Sequence, residues 1–147
     1  SIRTKIPSDI GSFILIFSQI LLLIFTILNI KKLPFWILGI GLVLNIIVIV
    51  GNSGWMPISP QNVEWLLGER TASWVLGQRF GFGKDIVLSE PQTFLPLLSD
   101  RFRLVWGTTR VLYSLGDVFI AAGAFLYMTG FFNADIFEKH FREVENV

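Results

Sequence analysis

The nineteen residues from Ser12 to Ile30, SFILIFSQILLLIFTILNI, contain no charged side chain. Wound as a helix, such a run is about 28 Å long, which matches the roughly 30 Å of hydrocarbon in a bilayer. A soluble domain of this size has little interior in which to bury a helix that is apolar on every side. The segment therefore directs the reading toward a membrane span, 12–30. A signal peptide is the competing interpretation, but the apolar run is too long and no small-x-small cleavage site precedes Lys31. Composition agrees with a span: of the 147 residues, 52% are hydrophobic and 16% charged, with a mean hydropathy of +0.63. The chain opens at Ser1 without an initiator methionine, which points to a processed or truncated start.

Lys31-Lys32 make a short polar connection, and Pro34 stands where a first helical turn tolerates a missing N–H. A second span, 33–50, follows and breaks at GNSGWMPISP, Gly51 to Pro60. Glycine and asparagine accept the left-handed conformation that ends a helix, so Gly51, Asn52 and Gly54 are read as its terminator. Ser59-Pro60 then has the form of an N-cap followed by proline at the first helical position. The expected helix carries Val63, Leu66, Leu67, Trp74 and Val75 on one side. Such a helix would lie along the membrane surface, kinked at Gly68. The glycine-rich stretch QRFGFGK, Gln78 to Lys84, reads as a loop, because the lysine is not followed by Ser or Thr as in a phosphate-binding loop. Ile86 to Leu88 reads as a short strand or extended piece, and Ser89-Glu90-Pro91 as a brief helix start limited by Pro96.

A third span is expected at 115–132, where Gly116, Gly123 and Gly130 recur every seven residues and form a seam for close helix approach. The fold class predicted is thus an all-α integral membrane protein of one domain, 1–147, with three transmembrane helices. A Trp-rich, partly helical extramembrane or interfacial segment, 52–110, joins the second and third, and a polar tail, 133–147, follows. Trp55, Trp65, Trp74 and Trp106 fall in the connecting segment as candidate contacts for lipid headgroups or a partner. Charge bias alone does not decide the orientation; because long loops translocate largely regardless of charge, the lysine connection and the tail are expected on the cytoplasmic side of a bacterial inner or intracytoplasmic membrane.

Two polar residues inside the apolar segments carry weight. Asp117 is ionisable and sits in the third segment, which by default raises proton or ion handling. Ser114-Leu115-Gly116-Asp117 also has the spacing of a capping box, and the local sequence needs nothing more to explain the carboxylate there, with Arg110 or Arg103 in reach. Asn45, near the middle of the second segment, needs a partner in hydrocarbon; Ser18, Gln19 or a backbone carbonyl would supply one, and a cofactor or lipid headgroup is the functional alternative. The chain has no cysteine, and its single histidine, His140, lies in the tail. Paired carboxylates do not face each other within the spans, so the constellations of enzyme chemistry are missing. No cofactor is required by the sequence, although a lipid or pigment could bind through Asn45 or a backbone carbonyl. The near-neutral formal charge of +1 argues against a nucleic-acid partner.

Three segments together, LGIGLVLNIIVIVGNSGWMPISP, KDIVLSEPQTFLPLLSDRF and YSLGDVFIAAGAFLYM, resemble an uncharacterised, domain-of-unknown-function family of small bacterial integral membrane proteins. That family carries an N-x-G-x-M-P-[VI]-S turn and a final S-x-G-D span, and the likeness covers about 28–128. It maps onto Asn45, Asn52, Gly54, Met56, Pro57, Ser59, Thr93, Asp100, Gly116 and Asp117. Members often have further N-terminal spans, which implies a shortened chain here, and the resemblance implies no activity. The function expected is a non-catalytic accessory or scaffolding subunit of a larger membrane complex, such as a respiratory or photosynthetic one, with membrane lipids and other transmembrane subunits as partners. The alternatives are a lipid- or small-molecule-binding membrane protein, or a small carrier acting as an oligomer.

Overall fold

The computed structural model describes residues 8–68, 73–81 and 83–130. The polar tail 133–147, His140 and the last residues of the third expected span lie outside the described residues. Helix α1, Ser8–Leu28, runs into a turn at Asn29-Ile30-Lys31, where the Asn29 amide donates to the Phe25 carbonyl at 2.8 Å. Helix α2, Leu33–Gly51, has proline in its first turn. These two helices are long and apolar enough to cross a membrane.

Beyond α2 the chain builds a small mixed cap. Strand β1, Met56–Ile58, leads through Ser59 into helix α3, Pro60–Leu67. Strand β2, Asp85–Val87, lies parallel to β1 in the register Met56↔Asp85, Pro57↔Ile86 and Ile58↔Val87. Two 3₁₀ turns, Glu90–Gln92 and Pro96–Leu98, bring the chain back so that Asp100 bridges Ile58. Strands β3, Phe102–Trp106, and β4, Thr109–Tyr113, then form an antiparallel hairpin. Helix α4, Leu115–Met128, closes the described chain.

The fold therefore corrects the all-α expectation, because the connecting segment holds two two-stranded sheets. It also corrects the count of spans. Helix α4 has 14 residues and is about 21 Å long, short of a bilayer crossing. Thr129 follows it with its hydroxyl donating to the Phe125 carbonyl, and Gly130 adopts φ +64°. Gly130 thus serves the turn after the helix and is not part of the packing seam. The expected interfacial helix likewise does not kink at Gly68 but ends there, with Gly68 at φ +57°. Asn52 does not take the left-handed conformation; Ser53 and Gly54 do, at φ +60° and +86°.

The hairpin escaped the sequence reading, although its signal is present. Two runs rich in aromatic and β-branched residues flank Gly107-Thr108, and Gly107 takes φ +59°, the positive angle that a tight hairpin turn needs at its first central residue.

Helix α2 is the centre of the helical layer and packs against both α1 and α4. Against α4 the approach is close enough to exclude side chains. A Cβ added at Gly123 would meet the Pro34 carbonyl oxygen and the Leu38 nitrogen, each at 2.7 Å. Near that end Phe35 joins all three helices through edge-on contacts with Phe25 and Tyr127, at 5.8 and 5.1 Å between ring centroids. Val48 and Ile49 of α2 pack with Met56 of the cap, while Ile58, Val63 and Val87 form a second apolar cluster within it.

Backbone cannot yield to a new side chain as a flexible side chain can, so Gly123→Leu should separate α2 from α4. The expected loss is about 1–3 kcal/mol or more, read as a lowered thermal midpoint in detergent. An unchanged midpoint would show that the seam is looser than the structure has it.

Candidate functional site

A polar cluster sits where the cap meets the ends of α2 and α4. Its foundation is the start of α4. Ser114 is the N-cap, its hydroxyl accepting from the Asp117 N–H at 3.1 Å while the Asp117 carboxylate accepts from the Ser114 N–H at 3.0 Å. This reciprocal pairing satisfies two backbone donors at a helix start. Asn45 reaches the same place from α2. Its amide donates to Asp117 Oδ1 at 2.8 Å, and its carbonyl oxygen accepts from the Ser114 hydroxyl at 2.9 Å. At 3% exposure Asn45 is thus fully engaged. Its partners come from α4, where the sequence pointed to α1; in α1 the Ser18 hydroxyl donates instead to its own backbone at Leu15.

The cap contributes Lys84. Its ammonium lies 3.2 Å from Asp100 and 3.3 Å from Asp117. Arg103 and Arg110, the expected counter-charges for Asp117, are committed elsewhere. Arg103 donates to Asn62 Oδ1 from both Nε and Nη2, at 3.0 and 2.9 Å, and Arg110 donates to the Trp65 carbonyl at 2.6 Å. Strand register explains how Lys84 arrives. The Met56 N–H donates to the Lys84 carbonyl at 2.9 Å, which locks the residue before β2 beside the turn that leaves α2.

Lys84 faces three carboxylates, since Asp85 also lies within electrostatic reach of both Lys84 and Asp100. The charges do not balance when all are ionised. Burial pushes the Asp100 carboxyl up to about 7, against the opposing pull of Lys84, with Asp85 and Asp117 adding to the rise. Burial raises Asp85 in the same sense. For Lys84, burial alone would favour the neutral amine, but Asp100, Asp117 and Asp85 outweigh it and hold the group above its ordinary value. Asp85 Oδ1 is buried with no hydrogen-bond partner. The Asp100 carboxyl can therefore hold a proton near neutral pH, and the cluster clamps the cap onto the helical layer.

Two other buried amides act as stitches. Asn52 accepts from the Phe94 N–H at 2.8 Å and donates to the Phe94 carbonyl at 3.0 Å, besides donating to Val48 of α2 at 2.7 Å. Asn62 donates to the Asp100 carbonyl at 3.0 Å. Ser59 caps α3 by accepting from the Asn62 N–H, Pro57 is buried in β1, and the Thr93 hydroxyl donates to the Ser89 carbonyl. Gly54 and Gly116 take positions of close approach, Gly54 against Ser12 and Gly116 against Asn45 and the Gly41 carbonyl.

The tryptophans divide. Trp55 is buried, its ring beneath the Arg79 guanidinium at 4.1 Å and over Gly11 of α1. Trp65 faces Arg103 and Arg110, and Trp74 packs on the Ile58 cluster. Only Trp106, of the four singled out by sequence, projects freely. Sequence reasoning missed Lys84, Asp85 and Asn62. The available signal was the Lys-Asp pair opening the apolar run Ile86 to Leu88, but no local pattern says that Asp100 and Asp117 will meet it.

The fold and cluster define a protein with two helices of membrane-crossing length and a small α/β cap held to them by a buried ionic clasp. The chain belongs to the family of unknown function DUF5317, whose sequence profile matches residues 1–129. No curated protein and no solved structure matches it.

Two outcomes follow from the clasp. A carboxyl whose folded value is near 7 and whose ordinary value is 3.8 binds its proton more tightly in the folded chain. Its contribution favours folding most below 3.8 and declines as pH rises to about 7, then stays level, because between those limits the unfolded chain binds fewer protons. At about 1.4 kcal/mol per pH unit, the decline is on the order of a few kcal/mol. Thermal midpoints measured across this window should fall with pH in the native chain and flatten in Asp100→Asn. Lys84→Met should destabilise by about 3–5 kcal/mol at alkaline pH, since it leaves buried carboxylates without a counter-charge, and by much less in acid. Equal losses at both pH values would remove the ionic reading of the clasp.

Proposed function

We propose that this protein is a non-catalytic accessory or scaffolding subunit of a larger membrane assembly. In this reading α1 and α2 cross a bacterial inner membrane, with the Lys31-Lys32 connection on the cytoplasmic side, and the cap lies at the opposite face. The observation that carries the reading is the β3–β4 hairpin. It leaves the cap just before Ser114 and exposes apolar side chains along its length, with Val105 at 59% and Trp106 at 79% exposure. Leu104 and Val111 are exposed on the same hairpin.

An isolated two-stranded hairpin is marginally stable in water, and clustered exposed apolar side chains mark interaction surfaces. A hairpin that holds an indole at its tip suits the extramembrane surface of a neighbouring subunit, into which an aromatic anchor would fit. The ionic clasp supports the same reading from the other direction. Lys84, Asp100 and Asp117 pair within it, so it rigidifies the cap that presents the hairpin.

The test is extraction of native membranes in mild detergent with a tagged chain, followed by native mass spectrometry. The native protein should be recovered in a stoichiometric complex with another membrane protein. A chain carrying Val105→Thr and Trp106→Ser should be recovered alone with an unchanged thermal midpoint. Recovery of the native chain alone, or a complex indifferent to the hairpin changes, would overturn the proposal.

A further inference from the structure

A polar cleft of about 280 Å³ opens on the cap, its lining not including Lys84, Asp85, Asp100 or Asp117 of the ionic clasp. Its walls include Ser59 and Asn62 at the start of α3, Glu90 and Ser99 from the two 3₁₀ turns, and Arg101 and Arg103 at the start of the hairpin. Arg103 is fixed before any ligand arrives. Asn62 Oδ1 accepts from its Nε and Nη2, and the Gln61 carbonyl accepts from Nη2 at 3.4 Å. Its guanidinium also stands over the Trp65 ring, 5.4 Å from the centroid. Asn62 is itself buried and held by the hydrogen bond its side-chain amide donates to the Asp100 carbonyl.

This leaves Arg103 Nη1 unspent. Arg101, beside it, has no side-chain hydrogen bond or ion pair among the described residues. The Ser59 hydroxyl accepts from the Asn62 N–H, so its own proton is free to donate. The Ser99 hydroxyl is spent on the Pro96 carbonyl at 2.6 Å. Two guanidinium groups against the one Glu90 carboxylate leave the cleft with a surplus of one positive charge.

We infer that this cleft binds a singly charged phosphate group, with Arg101 and Arg103 on its oxygens and the Ser59 hydroxyl as a further donor. Planar guanidinium groups match phosphate oxygens in pairs, and a guanidinium already locked by Asn62 loses little freedom on binding. The surplus charge suits a phosphodiester or monobasic phosphate better than a more highly charged anion, which Glu90 would repel. Two sources share this chemistry. The cleft is lined by Pro57, in the strand that follows α2, so a phospholipid headgroup reaches it if the chain lies in a membrane as proposed above. A soluble phosphate reaches it without that condition.

The test uses the full chain, purified in a maltoside detergent and stripped of lipid. Inorganic phosphate and phosphatidylglycerol in mixed micelles are titrated separately, with diacylglycerol as the phosphate-free control, and Trp fluorescence and the thermal midpoint are followed. Saturable binding of at least one phosphate compound and none of diacylglycerol is expected. Arg101→Gln, which removes no internal bond, should weaken binding by about tenfold, in line with loss of a charged hydrogen bond. Arg110→Gln, outside the cleft, should leave it unchanged. Response to the lipid alone assigns the headgroup, and response to inorganic phosphate as well assigns a soluble ligand. Response to neither, or equal binding by native and Arg101→Gln chains, overturns the inference. Recovery in a complex depends on the hairpin tip and not on Arg101, so failure here and failure of the subunit reading are told apart.

Discussion

The contact on which the rest depends is the one Asn45 makes across the helix seam. An asparagine side chain is short, and it reaches both Ser114 and Asp117 only because α2 and α4 approach without intervening side chains at Gly41 and Gly116. That bond fixes the first turn of α4 relative to the end of α2. The Asp117 carboxylate then points toward the cap, where Lys84 meets it. The order of dependence runs from glycine seam to asparagine bridge to ionic clasp. A buried ion pair is by itself a poor source of stability, because desolvation offsets the attraction. Its value here is positional, since one ammonium selects the single arrangement of β2, the Asp100 bridge and α4 in which three carboxylates share it.

How much of this was legible follows from the range of each signal. The two long apolar helices and the Ser114–Asp117 pair are local, decided by residues within a turn or a run of one another, and they stand out in the sequence. The proline at the start of α3 and the cap from Ser59 are equally local. Asn45 was legible as a residue in need of a partner but not as to which, because Asp117 lies 72 positions away. Lys84 was hidden for the same reason. Its partners Asp100 and Asp117 are 16 and 33 positions distant, and although a short extended piece was expected just after it, nothing local says which groups that piece brings together. The hairpin was hidden differently. Of its residues only Trp106 was singled out, as a contact for lipid headgroups or a partner, whereas the aromatic and β-branched runs on either side of Gly107-Thr108 were the informative property.

The strands of the cap are too short to hold together by their own ladders, with three residues each in β1 and β2. Side-chain amides supply what the backbone does not. Asn52 pairs with both backbone groups of Phe94 in the manner of a strand neighbour, and Asn62 joins α3 to the Asp100 carbonyl while steering Arg103. Buried amides whose nitrogen and oxygen are both hydrogen-bonded favour one arrangement of the chain, whereas an apolar contact tolerates several. Asn45, Asn52 and Asn62 therefore act as register marks. They explain how a connecting segment with little regular structure keeps a defined shape.

That shape separates two kinds of polar surface that share one stretch of chain. Asp100 turns inward to Lys84, and Arg101 and Arg103, one and three positions later, turn to the cleft. The Asn62 amide bridges the two, donating to the Asp100 carbonyl and accepting from Arg103. A change at the inner cluster thus has a short covalent and hydrogen-bonded path to the outer one. Strand β3 begins at Phe102, between the two arginines. Displacing the backbone at Asp100 would move the cleft's cationic wall and the root of the hairpin together. The clasp, the cleft and the exposed indole of Trp106 thus follow one another along a single stretch of the cap.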